Sequence, residues 1–189
     1  MAQHQTPPTE PPLKGSVRAK SLLLINTGDG KGKSTAAFGT MMRAVARGWR
    51  VAVIQFLKSG EWSVGEEKVA RDLGVDWWAV GDGFTWDSTD MDESQAIAAA
   101  GWDHAKERIA SADYDLVVLD EVTYPVNFGW IDIDDVVVAL RGRPEQVNVI
   151  LTGRDAPPEL VEIADTVTEM RKIKHAFDAG ILARRGIDY

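Results

Sequence analysis

The chain has 189 residues, 44% apolar and 26% charged, which suits one globular domain with a full-sized core. With 29 acidic residues against 21 basic ones the net charge is −8, which argues against general binding to a nucleic-acid backbone while leaving room for a local basic patch. The lack of cysteine excludes disulfides, zinc thiolate sites and cysteine nucleophiles, and permits a reducing compartment. No apolar stretch approaches the roughly 20 residues of a membrane span. The N-terminus also lacks the apolar centre of a secretory signal. The expectation is a cytoplasmic protein with no membrane and no nucleic acid as partner.

Residues 1–20 carry Pro7, Pro8, Pro11 and Pro12 and read as a flexible or extended tail. The same tail could instead fold over the active site or onto a partner subunit. The remaining residues, 21–189, read as one domain. Residues 21–26 form an apolar run typical of a doubly buried strand. A glycine-rich loop follows, then an alanine-rich helix from about Ser34 to Arg47 that stops at Gly48. Arg50–Leu57 is a second strand, 61–73 a helix ending at Gly74, and 75–80 a third strand. A loop rich in glycine and aspartate leads into a helix over about 93–111. The run 115–121 is a fourth strand, 133–141 a helix and 147–153 a fifth strand; 157–164 is a short helix and 165–173 a sixth strand.

Strands alternating with helices predict an α/β fold: three layers, a mainly parallel six-stranded sheet and helices on both faces. Ligands of such sheets bind beyond the carboxyl ends of the strands. That rule gathers 27–35, 55–60, 81–87, 120–130 and 152–155 into one place.

Residues 27–34, Thr27-Gly28-Asp29-Gly30-Lys31-Gly32-Lys33-Ser34, nearly meet the pattern G-x-x-x-x-G-K-[ST], with Thr27 in place of the first glycine. The fold is therefore expected to be P-loop NTPase-like, with ATP held over Thr27–Thr35. The glycines turn successive amides toward an anion, and the helix that follows adds its N-terminal dipole. Lys33 supplies a point charge to phosphate oxygens, and the Ser34 hydroxyl can ligate Mg2+ or Mn2+. Lys31 has two readings, phosphate contact or plain solvation.

Asp120 and Glu121 emerge at the carboxyl end of the fourth strand. There they can hold the metal directly or through water, or activate a water molecule. Arg154 stands at the end of the fifth strand, where it can reach phosphate or form a surface ion pair. The three histidines lack metal-ligand spacing.

Phe84 and Trp86 sit on the loop after the third strand, close to the predicted nucleotide site. They can wall a flat apolar ligand or fold back onto the core. Of Trp77 and Trp78, at least one is expected in the core. Asn127, Phe128 and Trp130 can line a pocket or pack the turn after the Asp-Glu pair. Lys172, Lys174 and His175 can meet phosphate or form a solvated strand end.

Four segments, "TGDGKGKSTAAFGT", "GFTW", "VVLDEVTYPVNFGWI" and residues 150–189, together resemble the P-loop type of ATP:corrinoid adenosyltransferase. The resemblance runs from residue 27 to the C-terminus. It implies that cobalt(I) of a corrinoid attacks C5′ of ATP, forming a cobalt–carbon bond while triphosphate leaves whole. Lys33 would then stabilise the leaving group, with Arg154 as a further candidate, and Glu121 would serve as a metal ligand. Phe84 and Trp86 would close over the lower face of the corrin and displace its axial ligand. Asn127 and Phe128 become candidate corrinoid contacts. A flavoprotein reductant and a homodimer are implied as well. The alternatives are a P-loop ATPase or kinase, and a nucleotide-gated corrinoid-binding protein without turnover.

Overall fold

The computed structural model describes residues 15, 17–57, 65–81 and 91–188. Most of the proline-rich tail therefore lies outside the described residues, as do Phe84 and Trp86.

Six strands form one sheet: β1 (Leu23–Thr27), β2 (Val51–Gln55), β3 (Asp76–Ala79), β4 (Leu116–Asp120), β5 (Asn148–Thr152) and β6 (Thr166–Glu169). Their spatial order is β3-β2-β4-β5-β1-β6, and every pairing among them is parallel. The expected mainly parallel sheet is thus wholly parallel among the described residues. The helices are α1 (Lys33–Val45), α2 (Gly65–Asp72), α3 (Met91–Ala110), α4 (Thr123–Asn127), α5 (Ile133–Arg141) and α6 (Pro158–Ile163), with a 3-10 turn at Ala176–Ala179.

The inner strands are apolar except at their ends because both of their faces are covered. Alternate residues point to opposite sides. Ile25, Ile54, Val117, Leu119, Val149 and Leu151 join one cluster with Trp102 and Ile109 of α3 and Leu140 of α5. Val53, Leu116, Val118 and Ile150 join another, with Phe38 and Met41 of α1. Trp77 is buried against Phe38, with ring centroids 5.1 Å apart. Trp78 packs edge-on to His104 at 4.7 Å on the other face. Each tryptophan of β3 therefore serves a different layer.

Two elements depart from the expected pattern. Residues 123–127, read from sequence as part of a turn, form the one-turn helix α4. Pro125 is tolerated there because the first turn of a helix needs no amide donor at that position. The sixth strand ends at Glu169 instead of residue 173. The next residue, Met170, donates its amide to Thr27 at 2.7 Å and accepts from the Gly30 amide at 2.5 Å, so the chain leaves the sheet to brace the glycine-rich loop.

Candidate functional site

The carboxyl ends of β1, β2, β4 and β5 surround a cavity of about 240 Å3. Asp29, Gly30, Lys31, Gly32, Lys33, Ser34 and Thr35 line it, with Glu121 and Arg154 opposite. Nine of the expected nucleotide-site residues thus share one space.

Gly32 precedes α1 in a left-handed conformation, φ 119°, and leaves the first turn of the helix open to the cavity. That turn carries no acidic side chain. Its free amides and dipole suit an anion. Asn26 at the end of β1 donates to the Lys33 carbonyl at 3.2 Å, fastening the start of α1 to the sheet.

The Lys33 ammonium folds back on the loop, donating to the carbonyls of Gly28 at 2.7 Å and Gly30 at 2.8 Å. Burial lowers its affinity for the proton, and the neighbouring Arg154 charge lowers it further. Glu121, Asp29 and Asp120 act in the opposite direction. Arg154 approaches Asp29 at 3.8 Å. Lys31 lines the cavity and pairs with Asp188 at 2.5 Å.

Thr27 and Gly28 stand behind the cavity. The Thr27 hydroxyl accepts from the Ala156 amide at 3.1 Å. Gly28 and Gly30 lie so close to residue 170 that an added Cβ would meet the Met170 carbonyl oxygen at 2.7 Å and 2.5 Å respectively. Glycine is required there for close approach.

Asp120 also lies behind the cavity wall. It is fully buried, and its two oxygens accept from Gln55 Nε2 at 2.8 Å and Thr152 Oγ1 at 2.7 Å. Glu121 adopts φ 61°, turning the chain at the end of β4, and its side chain reaches the cavity. Among the oxygen groups that line the cavity, the Ser34 hydroxyl and the Glu121 carboxylate are hard ligands. Such a set suits Mg2+, which keeps waters and takes phosphate oxygens as its remaining ligands.

Asn127 and Phe128 are exposed on and just after α4 and do not line the cavity. Asn127 points its amide to the carbonyls of Arg154 at 3.3 Å and Asp155 at 3.0 Å. Phe128 stacks between Tyr124 at 6.3 Å and Trp130 at 5.0 Å. Five further residues line the cavity without having been singled out from sequence: Phe38, Gln55, Glu66, Tyr124 and Asp188. Gln55 carried a usable signal, a polar residue closing an otherwise apolar strand. The Lys31–Asp188 pair spans 157 positions and leaves no local trace.

A parallel sheet with an anion-binding loop between β1 and α1, and carboxylates at the end of β4, defines a P-loop nucleotide-binding protein of the α/β class. Residues 19–189 match the family described as ATP:corrinoid adenosyltransferase BtuR/CobO/CobP, and the chain belongs to that family. It is 45% identical over 170 residues to a corrinoid adenosyltransferase of Escherichia coli strain K12, spanning 90% of this chain and 86% of that protein. The corrinoid adenosyltransferase CobA of Salmonella typhimurium is 44% identical over 170 residues, with the same two shares of 90% and 86%. A corrinoid adenosyltransferase of Pseudomonas aeruginosa is 42% identical over 172 residues, covering 90% of this chain and 84% of that one.

Proposed function

We infer that this chain transfers the 5′-deoxyadenosyl group of ATP to the cobalt(I) of a corrinoid in cobalamin metabolism. The observation that carries this reading is family membership across residues 19–189, in a chain whose glycine-rich loop lines one cavity together with Lys33 and Arg154. The cobalt(I) electron pair forms the bond to C5′. The C5′–O bond breaks, its electron pair leaves on triphosphate, and cobalt ends as cobalt(III). Cobalt(I) is itself a strong nucleophile, so the protein needs no Ser, Cys or His nucleophile of its own.

The protein's tasks are to orient C5′ and to stabilise the charge that grows on the departing anion. Lys33, Arg154 and the amides at the start of α1 are assigned to the second task. Ser34 and Glu121 would hold Mg2+ or Mn2+, with Asp120 fixed behind them by Gln55 and Thr152. The metal would neutralise triphosphate charge when bound. Thr27, Gly28, Asp29, Gly30, Lys31, Gly32 and Thr35 complete the nucleotide loop. Phe84 and Trp86 are assigned to the corrin's lower face on the resemblance alone. Phe128 is kept as a corrinoid contact because its ring is exposed beside the site.

Cobalt(I) is strongly reducing, so the reading includes an electron donor, a flavoprotein. It also includes a cytoplasmic setting and a homodimer, with residues 1–20 as a tail outside the domain. Among the described residues, no helix is long and apolar enough to cross a membrane. The homodimer is supported by apolar side chains standing exposed near the C-terminus: Ile173 at 80%, Phe177 at 71% and Leu182 at 81%. Light scattering at micromolar protein would count the copies.

The test of the reaction is product identity. With Mg-ATP and a chemically reduced corrinoid, the expected products are a light-sensitive adenosylated corrinoid and intact triphosphate. Orthophosphate or ADP in place of triphosphate would overturn the reading in favour of an ATPase or kinase. Tight binding without product would favour a carrier.

A further inference from the structure

We propose that Thr123 and Asn127 are positioning residues that aim Arg154 at the departing triphosphate, so that α4 serves the leaving group. The proposal rests on the adenosyl-transfer reading above and assigns Asn127 a task other than corrinoid contact.

Thr123 and Asn127 stand four residues apart and so share one face of α4. The Thr123 hydroxyl, fully buried, donates to the Arg154 carbonyl at 2.6 Å. The Asn127 amide donates to the same carbonyl at 3.3 Å and to that of Asp155 at 3.0 Å. Three bonds from one helix face therefore hold the carbonyls of Arg154 and Asp155, shortly after β5. The close approach has left its mark on the preceding residue. Gly153 has φ 143°, and an added Cβ there would lie 1.9 Å from the Thr123 hydroxyl oxygen. Asp155 on the other side is also turned, with φ 50°.

The root of α4 is fixed to the same strand end. The Glu121 amide donates to Thr152 Oγ1 at 2.9 Å, and that hydroxyl donates to Asp120 at 2.7 Å. Glu121 and Arg154 thus reach the cavity from backbones tied to each other through Thr152, Thr123 and Asn127. A long guanidinium side chain stabilises a developing anion only if its backbone root is held. A displacement of about 1 Å at such a group costs up to a hundredfold in rate.

The experiment uses the full chain with Mg-ATP and chemically reduced corrinoid, measuring kcat and the corrinoid KM. The variants are Arg154→Ala, Asn127→Ala, Thr123→Val, Thr123→Ser and the Asn127→Ala/Arg154→Ala double. We expect Asn127→Ala and Thr123→Val each to lower kcat on the order of tenfold, with the corrinoid KM unchanged. Thr123→Ser, which keeps the hydroxyl, should restore the rate. The double variant should be no slower than Arg154→Ala alone, because Asn127 acts through Arg154. If Thr123→Val does not fold, exposed Asn127 carries the test.

Multiplying losses in the double variant would overturn the proposal. So would a raised corrinoid KM at unchanged kcat in Asn127→Ala, which would return Asn127 to the corrinoid. An impaired Arg154→Ala beside a normal Asn127→Ala removes only the positioning role. A fully active Arg154→Ala would instead remove the leaving-group role of Arg154, and the positioning role with it. The absence of any adenosylated product from the unmodified chain would remove the reaction itself.

Discussion

The backbone amide of Gly30 donates to the carbonyl of Met170 at 2.5 Å, fastening the crest of the phosphate loop to the residue that follows β6. A side chain at position 30 would push against that fastening. A Cβ would lie 2.5 Å from the Met170 oxygen and 2.7 Å from its carbonyl carbon, both backbone atoms that cannot swing aside. Gly30→Ala is therefore expected to lower stability by about 1–3 kcal/mol. It should also raise the KM for ATP, because the loop amides move with the crest. Thermal melting and ATP titration of the same variant check both effects; an unchanged melting temperature would show that the loop yields freely.

Lys33 is the one ammonium placed at the centre of the loop, where it now bonds the carbonyls of Gly28 and Gly30. Triphosphate would compete with those carbonyls for the ammonium and gain a full positive charge beside it. Lys33→Ala is expected to lower kcat by on the order of 10²–10³, the usual cost of losing a preorganised donor to a developing anion. Near-normal turnover in single-turnover assays would remove Lys33 from the leaving-group role.

The pH dependence should carry the same residue's signature. Burial, then Arg154, lowers the Lys33 pKa from 10.5, so the free protein loses this ammonium at lower pH than an exposed lysine does. The alkaline limb of kcat/KM for ATP should fall below 10.5, since that ratio reports the free protein. Bound triphosphate favours the ammonium, so the limb of kcat should lie higher. Stability moves the other way. The unfolded chain holds the proton more tightly, so Lys33 costs stability at neutral pH. That cost is relieved as pH rises from the lowered value toward 10.5. Lys33→Ala should erase both the activity limb and the stability gain, and profiles that keep them would belong to another group.

The sheet was legible because burial on both faces writes itself as apolar runs, such as Val117–Leu119 and Val149–Leu151. The phosphate loop was legible because glycine, lysine and serine recur at a spacing that backbone geometry demands. α4 was not, because five residues are too few to display a helical period, although Val122 and Val126 join the core and Thr123 and Pro125 are buried beside them. The early end of β6 was hidden for a similar reason: Met170 turns its backbone groups to Thr27 and Gly30, a relation between distant segments with no local pattern. Asp120 read as a cavity-facing carboxylate; the sequence could not show that Gln55 and Thr152 take up its oxygens. Of the candidate corrinoid face, Phe84 and Trp86 lie outside the described residues.

Asp120 is a carboxylate with no exposure, held by two side-chain donors that are themselves buried, Gln55 at 1% and Thr152 at 0%. Removing it orphans both donors. Asp120→Ala should cost roughly 1–3 kcal/mol for each orphaned group. Asp120→Asn, which keeps one acceptor oxygen, should cost less. Urea denaturation ranks the three proteins, and equal midpoints would mean that water replaces the carboxylate at no cost. Transfer activity should follow the same ranking, since Thr152 also receives the Glu121 amide and so sets where that carboxylate stands.

Phe84 and Trp86 are expected to act where cobalt(I) is generated. Removing an axial ligand from cobalt(II) eases its reduction, and an apolar pair offers no replacement ligand where His, Met or Cys would. Phe84→Ala and Trp86→Ala should therefore lose most activity when the assay starts from cobalt(II) and a flavoprotein donor. They should lose much less when the corrinoid is reduced chemically beforehand. The ratio of the two rates is the informative quantity, because a simple loss of corrinoid binding would depress both alike. Equal losses would assign the pair to binding the ring and leave the reduction step to the donor.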